Sequence, residues 1–388
     1  MDLLASISFA VSCAGVFYTV AGYPLLLGWL AKRLARPVHK AYAPRSVSVI
    51  IAVHNGQPWL ADKLHSVLEL EYPRELMEIL VVSDGSTDGT DAVAGGFAAQ
   101  GVRLIRVPRG GKPAALNAGI AQARGEILLL TDARQTLAPE SLRNLVSCFA
   151  DPAVGVASGD LLIRQRGNYE EQSVGLYWRY ERWIRKQLSS LDSMFGASGA
   201  LYAIRAGLAR SMPPDTLLDD MYLPLGAFFE GYRLIVEENA RAFDYPTDVN
   251  IEFRRKVRTL AGNYQILWRF PALLTFRNRM LWHFLSYKLA RLLLPWMMLL
   301  LFVSSLWLPW PWLAVPVVGG QLVFYALAAL DPWIRPSALK RLSTPARAVV
   351  SMLAAAVCAV TIFVLPPERF WKPTQVRGAK RSQANSPL

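Results

Sequence analysis

Ile79-Leu80-Val81-Val82-Ser83-Asp84-Gly85-Ser86-Thr87-Asp88-Gly89-Thr90 is a short β-rich run that stops on a carboxylate and breaks at a glycine. An apolar run closed by Asp-Gly and followed by helical spacing is one unit of a strand–helix repeat. On its N-terminal side, residues 46–53 read as a first strand that stops at the turn residues His54-Asn55-Gly56, and 59–70 as a helix ended by Pro73. On its C-terminal side, 87–100 is the next helix, 102–107 a third strand and 112–123 a third helix. Residues 126–130 form a fourth strand ending at Thr131-Asp132. This alternation predicts an α/β domain with a mainly parallel sheet and right-handed crossovers. Ligands of such sheets bind beyond the C-terminal strand ends. Three strands deliver Asn55, Asp84 and Asp132 to that one rim.

The flanks differ from this middle. The chain is 53% hydrophobic and only 18% charged, against roughly 25% charged in an ordinary soluble chain, and the apolar excess collects at the two ends. Residues 3–31 are nearly free of charge and long enough to cross about 30 Å of hydrocarbon. They begin with Asp2 and end in Lys32-Arg33, unlike a cleaved signal peptide. Residues 292–310, 312–330 and 349–364 are three further span candidates, with Trp296, Trp307, Trp310, Trp312 and Trp333 near their edges. The expected organisation is a first span (1–32), a cytosolic domain (44–252), a basic and amphipathic interfacial segment (253–288), three spans (289–366) and a disordered basic tail (367–388). The net charge of +13 lies largely beside the spans. Lys32, Arg33 and Arg36 follow the first, and Lys288 and Arg291 precede the second. Such placement fits anchoring beside anionic lipid and argues against a nucleic-acid partner. Four simple spans would put the tail outside, whereas Lys372, Arg377, Lys380 and Arg381 argue for inside. Either one span is re-entrant or those charges are a weak signal. Cys13, Cys148 and Cys358 and the four scattered histidines form no zinc or disulfide pattern.

Several local patterns carry chemistry. Ser86 to Asp88 read as helix-capping residues, but a carboxylate closing a buried strand, Asp84, needs a partner, which a ligand hydroxyl or N–H would supply. Arg109-Gly110-Gly111-Lys112-Pro113 combines close backbone N–H groups, a helix start and a cation, which suits a diphosphate; the same residues also read as a flexible loop. Asp132 is a one-point ligand for Mg²⁺ or Mn²⁺, or a turn residue. In Leu217-Leu218-Asp219-Asp220, adjacent carboxylates repel, raising one pKa toward general-base work; Asp219 equally reads as a helix cap. Arg254, Arg255, Lys256 and Arg258 precede an aromatic amphipathic stretch, 264–282, suited to a membrane surface. One or two of those arginines can instead reach a leaving diphosphate.

In this order, over about residues 44–260, these motifs resemble the inverting family-2 glycosyltransferases, in particular the membrane-anchored bacterial kind related to cellulose, hyaluronan and exopolysaccharide synthases. The resemblance implies a GT-A-like domain flanked by transmembrane helices, and a multi-pass enzyme of the bacterial inner membrane with its catalytic domain in the cytosol. Its substrates would be a nucleotide-sugar donor and a polyprenyl-linked or polysaccharide acceptor. The family's Asp-Asp-Gly-Ser-x-Asp-x-Thr is similar to Ser83–Thr90, which places Asp84 at the nucleotide; Asn55 matches the family's Asn. Lys112-Pro113-Ala114-Ala115-Leu116-Asn117 looks like Lys-x-x-Ala-Leu-Asn. Gly196, Ser198-Gly199-Ala200 and Arg205 resemble the acceptor-side stretch, and Asp219-Asp220 the Glu-Asp pair. By carry-over Asp220 is the catalytic base, Gly199 and Asp219 lie on the acceptor side, and Asp132 holds Mg²⁺ or Mn²⁺. Asn55, Asp84, Lys112, Arg134, Arg255 and Arg258 bind nucleotide and diphosphate. Two departures stand out. Asp-x-Asp reads Asp132-Ala133-Arg134, and Gln-x-x-Arg-Trp reads Arg255 to Thr259, without the indole. The second favours single transfer over processive synthesis. A non-catalytic sugar-nucleotide-binding protein is the rival that Arg134 motivates, and a pure transporter is disfavoured because the spans lack ionisable pathway residues.

Overall fold

The computed structural model describes residues 2–163, 169–244 and 249–370, with backbone alone for 169–178 and 249–251. Of the expected basic tail (367–388), residues 371–388 lie outside the described residues.

β1 (Val47–Val53), β2 (Met77–Asp84), β3 (Val102–Val107) and β4 (Ile127–Leu130) pair in parallel in the order β3-β2-β1-β4. Successive residues of a strand face opposite sides, and both sides are apolar here. Val49, Ile51, Ile79 and Val81 pack with Leu60 and Leu64 of the helix Gln57–Leu68. Ile50, Leu80 and Val82 pack with Ala115 and Leu116 of the helix Lys112–Gln122. The sheet is buried twice, which explains why these strands read as continuous apolar runs.

Beyond β4 the sheet is mixed. β5 (Thr136–Leu137), β6 (Val154–Ile163), β7 (Tyr202–Arg205) and β8 (Arg233–Asp244) extend the order to β3-β2-β1-β4-β7-β6-β8-β5. β7 enters from the rim where β4 ends, so it runs antiparallel to β4, with Leu130 opposite Tyr202. That reversal sets the loop before β7 beside Asp132, whose N–H donates to the Gly199 carbonyl at 3.1 Å.

Among the described residues, four helices are long and apolar enough to cross a membrane: Asp2–Leu34, Leu281–Ser305, Pro311–Trp333 and Ala338–Phe363. The second starts well before residue 292, so Lys288 and Arg291 lie inside it, not ahead of it. The interfacial boundary at 252/253 falls within one helix, Val249–Arg269, which stops before Pro271. Within the 264–282 stretch this helix ends at Arg269 and the next α-helix begins at Leu281, with the fully exposed Phe276 on the bend between them. The domain and the spans are joined through one core. Tyr23, Leu27 and Ala31 of the first span, and Phe284 and Tyr287 of the second, share it with Phe195 and Phe228. Arg233 donates to the Arg36 carbonyl at 3.0 Å, fixing the chain as it leaves the first span.

Candidate active site

The strand ends meet as the sequence predicts, but their partners differ. Asp84, 2% exposed, accepts from Gly110 N at 2.7 Å, from Gly111 N at 3.0 and 3.1 Å, and pairs with Arg109. The protein itself thus satisfies this carboxylate, and the two amides offered to a diphosphate are engaged by Asp84. Asn55 takes a left-handed backbone (φ 50°) and its Oδ1 accepts from Thr87 N at 2.8 Å, latching the loops after β1 and β2 together. Asp88 accepts from Thr90 N and Gln57 N, at the first residues of two helices whose N-cap positions are Gly89 and Gly56. Gly85 closes the motif at φ 58°, and a Cβ there would lie 2.8 Å from Arg109 N. Gly85→Ala is expected to cost roughly 1–3 kcal/mol and to loosen the 109–111 loop, read as a lower Tm and weaker nucleotide binding.

The centre of the rim is a carboxylate cluster around one ammonium. Lys112 Nζ lies 2.7 Å from Asp132 Oδ1 and 2.9 Å from Asp219 Oδ2. Asp220 Oδ2 accepts from Gly199 N at 3.1 Å. A Cβ on Gly199 would stand 3.2 Å from Asp220 Oδ2, 3.4 Å from Asp132 Oδ2 and 3.6 Å from Lys112 Nζ, so this glycine marks the middle of the group. Asp219 and Asp220 open the helix Asp219–Phe229, whose free N–H end favours negative charge. The preceding residues are clamped by the 249–269 helix: Leu217 N donates to Gln265 Oε1 at 2.9 Å, and Arg269 pairs with Asp215 at 2.5 Å. The same helix carries Arg258, which lies within electrostatic reach of Asp132, Asp219 and Asp220.

These charges set the proton affinities. Burial, then the Asp219 carboxylate, raises Asp220 to about 6, against the opposing pull of Lys112. Burial also works against the charge of Asp132, yet Lys112 holds it below the ordinary carboxylate value. Lys112 is raised because the three carboxylates outweigh its burial. Beneath them lies Lys63, fully buried, donating to Thr131 Oγ1 at 2.5 Å and to the Gln135 carbonyl at 2.8 Å. Burial lowers it to about 7. The sequence reading missed Lys63; a lysine amid the apolar spacing of the 57–68 helix was the available signal.

Other predicted residues lie elsewhere. Arg134 pairs with Asp244 at the end of β8, which also accepts from Gln135 Nε2 at 2.9 Å, so its guanidinium braces the sheet. Arg205 sits opposite Ile127, at the far end of β4, and donates to the carbonyls of Val154, Phe149 and Asp151. Arg255 pairs with Glu252 at 3.7 Å on its own helix. Among the described residues no three His, Cys, Asp or Glu side chains form a metal-binding group. The donor chemistry nonetheless fits a hard ion: Asp132, about one-third exposed at its side chain, offers one carboxylate, and phosphate oxygens suit the remaining positions.

Residues 48–210 match the family model described as Glycosyl transferase family 2. The chain is 25% identical over 234 residues to the beta-monoglucosyldiacylglycerol synthase of Synechocystis sp., covering 56% of this chain and 48% of that protein. It is 30% identical over 232 residues to the poly-beta-1,6-N-acetyl-D-glucosamine synthase of Staphylococcus epidermidis, covering 58% and 56%. The chain thus spans about half the length of the curated relatives it matches. Among solved structures, the mannosyltransferase PcManGT of Pyrobaculum calidifontis, in complex with GDP-Man and Mn²⁺, aligns with a TM-score of 0.71 at 25% identity, covering 93% of this chain and 99% of that one. The chain has a GT-A-like family-2 glycosyltransferase fold flanked by long apolar helices.

Proposed function

We propose that the chain is a multi-pass membrane glycosyltransferase that moves a sugar, with inversion, from a nucleotide-sugar donor to a hydroxyl of a lipid-linked or cell-surface glycan acceptor. The observation that carries this reading is the placement of Asp220: one carboxylate oxygen fixed by Gly199 N, beside Lys112 and Asp132, with a pKa near 6. A carboxylate of that basicity takes a proton from an acceptor hydroxyl near neutral pH while remaining ionised beforehand. Lys112 and Arg258 are fixed cations in a partly dry site, placed to stabilise the negative charge that develops on the departing diphosphate. The loops latched by Asn55 and Asp84 form the nucleotide side. Mg²⁺ or Mn²⁺, held by Asp132, would add neutralising charge at the diphosphate. Lys32 and Arg33 at the end of the first span favour a cytosolic domain.

Single transfer is favoured over processive synthesis because Thr259 stands where processive synthases carry an indole. The non-catalytic alternative loses its motive, since Arg134 faces Asp244 and leaves the aspartate cluster intact. The test is a screen of radiolabelled nucleotide-sugars against membranes containing the chain, with lipid and polymer products resolved by size. Absence of labelled product with every donor would overturn the reading.

A pH profile adds a second check. Protonated Asp220 is inert as a base, so log kcat/KM is expected to rise with pH and level off above about 6. Stability runs the other way for this group. Its folded pKa is raised from 3.8, so its contribution is full below 3.8 and lost as pH rises through about 6. Asp132, lowered from 3.8, has the opposite sign: its contribution holds above 3.8 and is lost as pH falls further. A flat rate between pH 5 and 8, on the scale of these shifts, would remove Asp220 from the base role.

A further inference from the structure

We infer that Lys63 is a positioning residue, which pins the loop of Asp132 to the loop of Gly199 from behind the rim. This deepens the transferase reading, on which it rests, by fixing where Asp132 and Asp220 stand relative to each other.

Lys63 occupies the buried face of the helix Gln57–Leu68, in one row with Leu60, Leu64 and Val67. That face packs on β1 and β2, which is why its other members are apolar. A lysine in this row is fully buried, and an ammonium taken out of water is costly unless it is hydrogen-bonded. The acceptors it meets both belong to the segment that leaves β4: Thr131 Oγ1 at 2.5 Å and the Gln135 carbonyl at 2.8 Å. Asp132 lies on the short arc between these two anchor points. Methionine would fill the same row without the desolvation cost; what the ammonium adds is the tie to the loop.

The Thr131 hydroxyl has its own proton committed elsewhere. It donates to the Ala200 carbonyl at 2.6 Å, so toward Lys63 it acts only as an acceptor. The ammonium thus holds a hydroxyl that bridges two loops, and a charge-assisted bond of this kind is roughly twice as strong as a neutral one. Beside the bridge, Asp132 N donates to the Gly199 carbonyl at 3.1 Å, and Gly199 N donates to Asp220 Oδ2 at 3.1 Å. From Lys63 the bonds therefore run through Thr131 and the Gly199-Ala200 backbone to the base. The same helix grips the far end of the segment. Ser66 Oγ donates to the Lys63 carbonyl at 2.8 Å and accepts from Leu137 N at 3.2 Å. Fully buried beneath the rim, Lys63 is placed to act through Thr131 and not on the substrate.

The experiment uses the full chain in phosphatidylcholine nanodiscs and has two readouts. Amide hydrogen exchange reads the pin itself. In Lys63→Met, peptides covering residues 131–137 and 198–200 are expected to exchange roughly tenfold faster, with β2 unchanged. Transfer, from whichever radiolabelled nucleotide-sugar the membrane screen shows to be used, reads the consequence. There kcat should fall on the order of 10²-fold, the effect of a misplaced reacting group, while the donor KM changes little. Thr131→Ser keeps the bridging hydroxyl and should keep both readouts near the parent, whereas Thr131→Val should behave like Lys63→Met. Combining Lys63→Met with Thr131→Val separates positioning from stability. The pair removes both partners of a buried bond, so its Tm should exceed that of Thr131→Val alone, yet transfer should stay low. Unchanged exchange in Lys63→Met overturns the pin. Recovery of transfer together with Tm in the double variant overturns the positioning role and leaves Lys63 a satisfied core residue; a rise in KM with kcat unchanged does the same. A parent chain that transfers no sugar overturns the transferase reading, and the exchange readout still decides the pin.

Discussion

Asp220→Asn is expected to leave nucleotide-sugar affinity nearly intact while lowering transfer on the order of 10²–10⁴-fold, the usual reach of a general base. The amide is the same size and still accepts from Gly199 N, so the loop before β7 keeps its place. What it loses is the capacity to take a proton. Stability should not fall with activity: Asp220 is raised by burial and by Asp219, so ionising it costs the folded state at neutral pH. A Tm equal to or above that of the parent, with calorimetric donor binding intact and labelled transfer gone, is the signature. Full transfer in this variant removes Asp220 from the chemistry.

Lys112→Met has the second large effect and a different one. It removes the ammonium that lies 2.7 Å from Asp132 and 2.9 Å from Asp219, leaving Arg258, with Lys63 on the Asp132 side, to face three carboxylates. Breaking a largely buried ion pair from one side costs about 3 kcal/mol or less where, as here, part of the group meets solvent, so Tm falls along with transfer. Lys112 also pulls the pKa of Asp220 down; without it any residual activity should level off at higher pH. Adding Asp219→Asn should restore stability without restoring transfer, because it removes the repulsion and not the need for a cation. An unchanged Tm and pH profile in the single variant would place Lys112 outside the cluster's electrostatics.

The readable part of the site was what local pattern encodes. Strand ends carry Asn55, Asp84 and Asp132 to one rim because each short apolar run stops at a turn residue, and that relation is local to the chain. Asp219-Asp220 was legible for the same reason, as two acids at a helix start. Partners across the fold were not. A buried carboxylate at Asp84 signals a need for donors, but only the approach of the 109–111 loop shows that Gly110 and Gly111 meet it. Arg134 beside Asp132 looks like part of the site until β8 brings Asp244 to it. The mainly parallel sheet held through β4, where helices alternate with strands; the reversal at β7 follows a connection with no such rhythm. The helix that holds the second span candidate begins at Leu281, ahead of the apolar run counted from residue 292.

The last apolar helix ends where the domain is. Ala359 is fully buried against Leu217 and Ala261, and Phe363 lies 5.5 Å, ring to ring, from Tyr264. Residues 217 and 261 belong to the loop and helix that hold Asp219 and Arg258, so the last apolar helix ends beside the rim with the carboxylate cluster. The chain also leaves the first span against the domain, at Arg36. The loop before Asp219 is thus held by the last apolar helix as well as by the domain.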